Sequence, residues 1–207
     1  MSFRVDNADE RLMSYLPKEE KRKAILDATL RLAVAHGFAG ITARKVAAEM
    51  GTATGTIHHH FSSLDNLKQE AVHYAVQSAH EYDLQAIEGL SPYDALCRLL
   101  LPSNIPDREF DTRIWLSAAD EMWRNEGLKQ EFCQGMTSYT DSIESLIEQG
   151  CSQGLFKPIL PPRQCAWKLS GTAFSLSSYT YLDDPSLDLP AVDAIILKDL
   201  QVTLGIA

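Results

Sequence analysis

Residues 41–61, ITARKVAAEMGTATGTIHHHF, constrain this chain more than any other stretch. They read as a short helix, a glycine turn, and a second short helix tipped with threonines. Thr42 stands where a capping hydroxyl belongs, and the helix it opens runs to Met50. Val46, Ala47 and Met50 form its buried side. Gly51 supplies the positive φ of the turn at little steric cost. The next helix begins at Thr52 or Ala53 and ends near Phe61. Ile57 and Phe61, four residues apart, share its inward face. Two helices joined this way let one brace against a DNA backbone while the other enters the major groove.

The remaining pattern is helical throughout. Pro17 suits a first helical turn, and Ile25, Thr29, Leu32 and His36 line one face of a helix from Lys18 to Ala35. Gly37 closes it as a left-handed residue, and Phe38 packs back. Ser63 caps a long helix from Leu64 to about Ile87, with Leu67, Ala71, Tyr74, Ala75 and Ser78 on one stripe. Further helices are expected over 92–101, 107–125, 127–154, from Pro161 or Pro162 to Leu182, and over 189–204. Pro102, Pro106, Pro158 and Pro185 fall between these segments, as helix breakers should, and Pro190 stands at the start of the last. The fold class is therefore all-α: an N-terminal three-helix helix-turn-helix domain over 17–62, joined to a larger C-terminal helical bundle over 63–207. Residues 1–16 read as a flexible arm.

Charge divides the chain in the same way. The net charge is -9, which alone disfavours nucleic acid. Residues 17–61, however, hold seven basic against four acidic side chains, and residues 62–207 hold ten against 21. A basic head on an acidic body suits docking on phosphate by one end. No apolar run nears the ~20 residues of a membrane helix, and the N-terminus lacks the apolar core of a secretory signal. Cys97, Cys133, Cys151 and Cys165 form no C-x-x-C pair, so neither a zinc site nor a disulfide framework is indicated. A reducing cytoplasm is the expected compartment. These cysteines, with His36, His73 and His80, make no catalytic constellation, and no enzyme, cofactor or metal is expected. His58, His59 and His60 diverge by about 100° per residue on a helix, so they do not converge on one ion.

Residues 18–67 resemble the DNA-binding domain of TetR-family transcriptional regulators. The resemblance lies in Ile25, Leu26 and Ala28, closing Gly37-Phe38, Thr42, Val46-Ala47, Gly51, Thr54-Gly55-Thr56-Ile57, Phe61 and Leu67. Two positions depart from the family pattern: His58 replaces a common tyrosine, and Leu64 a common lysine. The C-terminal half is more loosely similar to the choline-responsive betaine-pathway repressors of that family, through Trp115-Leu116, Trp123 and Gly154-Leu155-Phe156.

The residues expected to meet DNA follow from both arguments. Thr52, Thr54, Gly55, Thr56, His58, His59 and His60 lie along the recognition helix. Threonine reads base edges with its hydroxyl and thymine with its methyl, and Gly55 permits close backbone approach. Thr42, Arg44 and Lys45 sit at the start of the preceding helix, and Lys18, Lys21, Arg22 or Lys23 near the start of the first; the cations among them are expected to hold phosphates. Protonation of the histidines near pH 6.5 should strengthen binding.

The resemblance implies a small-molecule inducer bound among the middle helices. Trp115, Ala119, Met122, Trp123 and Phe132 are candidate walls, with Met136, Tyr139 and Phe174. Asp120 and Glu121 beside the tryptophans suit a cationic ligand. The last two helices are expected to pair two chains, through small Ala166, Ser170, Gly171, Ala173, Ser175, Ser177 and Ser178, filled by Leu169, Leu176, Ile195, Ile196 and Leu200. The implied protein is a repressor that binds a palindromic operator as a homodimer and is released by its ligand.

Overall fold

A computed structural model describes residues 17–182 and 184–206, so the expected arm over 1–16 lies outside the described residues. The described chain is nine α-helices with no strand: α1 (Lys18–His36), α2 (Ala43–Glu49), α3 (Thr54–His60), α4 (Leu64–Ile87), α5 (Pro92–Leu100), α6 (Arg108–Glu121), α7 (Glu126–Ser152), α8 (Pro162–Tyr179) and α9 (Leu189–Leu204). The all-α class holds. Among the described residues no helix is long and apolar enough to cross a membrane. The chain divides into two compact units, one joining the residues up to 77 with 113–133, the other joining 78–112 with the residues from 134 on.

The first unit is built around α1. Ile25, Ala28, Thr29 and Ala33 turn into its core, with Phe38, Ile41, Val46 and Ala47. Gly37 ends α1 with φ 71° and ψ 158°. That is the mirror of extended backbone and not the left-handed helical conformation expected, and it too is open essentially to glycine alone. The turn aims Phe38 inward, where its N–H donates to Ser117 Oγ at 2.6 Å. α2 is capped as expected, with Thr42 Oγ1 accepting from the Lys45 N–H. Gly51 takes φ 62° in the turn. α4 opens with a reciprocal cap: Asn66 N–H donates to Ser63 Oγ at 3.0 Å, and Ser62 N–H to Asn66 Oδ1 at 3.4 Å.

Along α4 the buried side is Leu67, Lys68, Ala71, Val72 and Val76. Ser78, assigned inward above, is exposed. The unexpected member is Lys68, which is buried and donates to Glu121 at 2.6 Å. A lysine in that place survives only because its charge is matched. α6 ends at Glu121, four residues short of the expected Asn125. Asn125 is instead the first device of α7: its Oδ1 accepts from Leu128 N–H at 2.9 Å, and its Nδ2 donates to the Asp65 carbonyl.

The second unit has one apolar core. Leu96, Leu99 and Leu100 of α5 meet Ile143 and Ile147 of α7, Leu169 and Ala173 of α8, and Ile196, Leu200 and Leu204 of α9. Ala166, Ser170, Ala173 and Ser177, assigned above to a seam between chains, are buried here within one chain. The periodicity was real, but its purpose is close packing of α8 inside the unit. The outward row of α8 carries Trp167 and Gly171, both exposed, and half-buried Phe174 and Ser178. On α9, Ile195 and Val202 face outward.

Candidate nucleic-acid interface

The recognition segment is shaped from one side only. α3 has seven residues and no capping side chain, so its own hydrogen bonds do not hold it. Ile57 and Phe61, each 2% exposed, anchor it in the core of the first unit. Arg22 of α1 completes the anchorage. Its guanidinium lies 4.3 Å from the centre of the Phe61 ring, donates to the His60 carbonyl at 2.6 Å, and pairs with Glu70 of α4. Arg22, assigned above to a phosphate, is therefore occupied in holding α3 against α1 and α4.

With those faces taken, Gly55, His58 and His59 are exposed, and Thr52, Thr54 and Thr56 are half-exposed. Thr52 Oγ1 and Thr56 Oγ1 share a hydrogen bond of 3.0 Å, so the first hydroxyl of the turn braces the helix while the second keeps a free lone pair. A Cβ placed at Gly55 would meet nothing within 4 Å, so the glycine leaves open space. Arg44 is exposed and makes no ion pair among the described residues. Thr42 is exposed beside it. Lys45 is exposed too, but its Nζ donates to the Gly40 carbonyl at 2.7 Å. His60 departs from expectation. Its ring is half-buried, turned toward α1, and burial is the main force pushing its pKa below 6.5, with His59, Lys21, Lys18 and Arg22 adding to it.

The residues assigned to a ligand fare unevenly. In the first unit Trp115 and Phe132 meet edge-on at 5.7 Å, and Ala119 and Met122 are half-buried. Trp123 is 76% exposed, because α6 stops before reaching it. Asp120 pairs with Arg124, and Glu121 with both Lys68 and Arg124. Neither carboxylate is left for a cationic ligand. In the second unit Met136, Tyr139 and Phe174 are partly buried, and the Tyr139 hydroxyl donates to the Leu99 carbonyl at 2.8 Å. Sequence reasoning missed Asp83 of α4. Burial pushes its carboxyl up to about 6 against the pull of Arg98, and Asp111 adds a like charge. Its sequence neighbourhood, Glu81 to Gln85, reads as an ordinary wet helix face and gave no signal.

A capped helix, a glycine turn and a second helix anchored by its inward residues define a helix-turn-helix head, the mark of a DNA-binding regulator. Residues 25–71 match the model of bacterial regulatory proteins of the tetR family. The HTH-type transcriptional regulator PksA of Bacillus subtilis is 30% identical over 104 residues, 48% of this chain and 50% of that protein. The chain thus spans about half the length of this curated relative. Two solved structures share the fold along nearly their whole length. A transcriptional regulator from Saccharomonospora viridis in complex with choline has a TM-score of 0.79 and 22% identity, covering 88% of this chain and 96% of that one. FadR from Bacillus subtilis in complex with stearoyl-CoA has a TM-score of 0.64 and 19% identity, covering 89% and 99%. Residues 25–71 thus carry the head of bacterial regulatory proteins of the tetR family, and the structural relatives share the fold beyond it.

Proposed function

We propose that this chain is a transcriptional repressor that binds an inverted-repeat operator as a homodimer and leaves it when a small molecule binds. One observation carries the reading. Ile57 of α3 and Phe61 just after it are buried, while Thr54, Gly55, His58 and His59 remain on the accessible side. Threonine hydroxyls and methyls read base edges, the glycine admits the backbone, and Arg44 holds a phosphate. Two heads related by a two-fold axis read two half-sites about one helical turn apart, or a multiple of it. The pairing surface is the outward row of α8, with Trp167 and Gly171, beside Ile195 and Val202 of α9. Of the small-residue stripe, Ala166, Ser170, Ala173 and Ser177 are spent inside the unit, while Gly171 and Ser178 stay on this outward row.

The ligand is a small molecule of the kind that structural relatives hold, one with choline and another with stearoyl-CoA. For this chain a quaternary ammonium would find no carboxylate at Asp120 or Glu121, which supports a search wider than choline. The test is a gel shift on the DNA flanking the chain's own gene, followed by a metabolite panel added to the complex. A shifted band abolished by one panel member supports the reading. An unshifted band across all flanking DNA rejects it.

A further inference from the structure

His60 closes α3 beside the first turns of α1, fixed there by the Arg22 hydrogen bond to its carbonyl. Its Nδ1 is buried and has no hydrogen-bond partner among the described residues. Such an atom asks for a partner that the free protein does not supply. The groups around it are cationic. Lys18, Lys21 and Arg22 share one face of α1 at spacings of three and four. The ring of His59 meets that of His60 edge-on at 5.4 Å. On α4 the facing carboxylate is Glu70, already held by Arg22 and Asn66. Glu19 and Glu20 are exposed on the first turn of α1. Arg22 is occupied, but Lys18 and Lys21 have no ion pair among the described residues.

We propose that Lys18, Lys21 and His60 form a seat for one DNA backbone phosphate, and that filling it draws a proton from solvent onto His60. The inference rests on the DNA-binding reading above. In the free protein the neutral imidazole is favoured, because burial and then the neighbouring cations disfavour a further positive charge. A phosphate oxygen placed among the same groups reverses the sign of that field. The imidazole turns about its Cβ–Cγ bond to bring the sealed Nδ1 to the phosphate, and the imidazolium donates Nδ1–H to it in a charge-assisted bond. Binding and proton uptake are linked, so affinity rises as pH falls through the window between the free and bound titrations.

The test measures binding of a short mixed-sequence duplex by fluorescence anisotropy, at fixed salt, from about pH 8 to about pH 6. Wild-type protein should tighten as pH falls, by at most about tenfold per pH unit for one proton. His60→Gln should flatten that dependence, whereas His59→Gln should retain most of it. Lys21→Gln should weaken binding at every pH and reduce the salt slope by about 1. The His60 imidazole, followed by NMR in the full chain, should titrate at higher pH with the duplex than without it. An unchanged pH slope in His60→Gln, or one imidazole titration in both states, overturns the proposal while the head reading stands. No binding by the wild type at any pH overturns both.

Discussion

Two glycines of the first unit do different work, and substitution should separate them. Gly37 holds a backbone conformation that side chains resist, and it aims Phe38 at the core. A Cβ there would lie 3.5 Å from Ser117 Oγ, an ordinary contact, so the cost of Gly37→Ala is backbone strain. Denaturant unfolding should show a loss of about 1–3 kcal/mol. Gly55 lies inside a helix with open space beyond it. Gly55→Ala should leave the fold intact or stabilise it by up to about 1 kcal/mol, since alanine is the better helix former. Its DNA affinity should nevertheless fall, because the methyl occupies the approach. If both properties move together, Gly55 is a structural residue and not part of the reading surface. The neighbouring residues show where sequence suffices. Thr42, Ile57 and Phe61 are legible because capping and four-residue spacing are local. The fate of Arg22 and His60 is not, because it depends on Glu70 and on α1, 48 and 38 residues from their partners.

At the scale of elements, helix limits are largely written in prolines, glycines and caps. α4 and α9 run over the expected spans, since Ser63 and Asp188 accept the first-turn N–H groups. The end of α6 was not legible. Asn125 is a favoured capping residue, but Met122 and Trp123 continue the apolar spacing of α6 and hide the break, so Trp123 reads as part of a wall. The small residues of α8 show a second limit, since periodicity reveals a face but not what covers it. The buried pair of Lys68 and Glu121 ties α4 to the end of α6 within the first unit. Lys68→Met leaves the buried Glu121 carboxylate with only the exposed Arg124 guanidinium at 3.1 Å, so it should destabilise by up to about 3–5 kcal/mol. Lys68→Met combined with Glu121→Leu should recover most of that loss in chemical denaturation. A double variant no better than the single one would mean that the pair is held open to water.

For the molecule as a whole, acid and association are the two measurable axes. Asp83 has a folded-state pKa of about 6, above its ordinary 3.8. The fold therefore favours the protonated carboxyl. Its contribution is fully present below about pH 3.8 and is lost as pH rises through about 6. Asp83→Asn removes the penalty at neutral pH, so it should stabilise by up to about 3 kcal/mol there. Melting curves of the two proteins should converge toward about pH 4. The opposite trend is expected of His60, whose lowered pKa makes the head lose stability as pH falls below 6.5. Association is tested by Trp167→Glu with Ile195→Glu, both on exposed positions. Sedimentation should report a dimer for the wild type and a monomer for the variant, with helical content unchanged. A variant that sediments like the wild type places the pairing surface elsewhere.

The absence of any capping side chain on α3 bears on how such a protein can be repurposed. A peptide copied from residues 52–62 would be shapeless in water, and transplanting it into another scaffold would carry the letters without the posture. Retargeting should instead exchange Thr54, His58 and His59 in place, leaving Ile57, Phe61 and Arg22 as the mould.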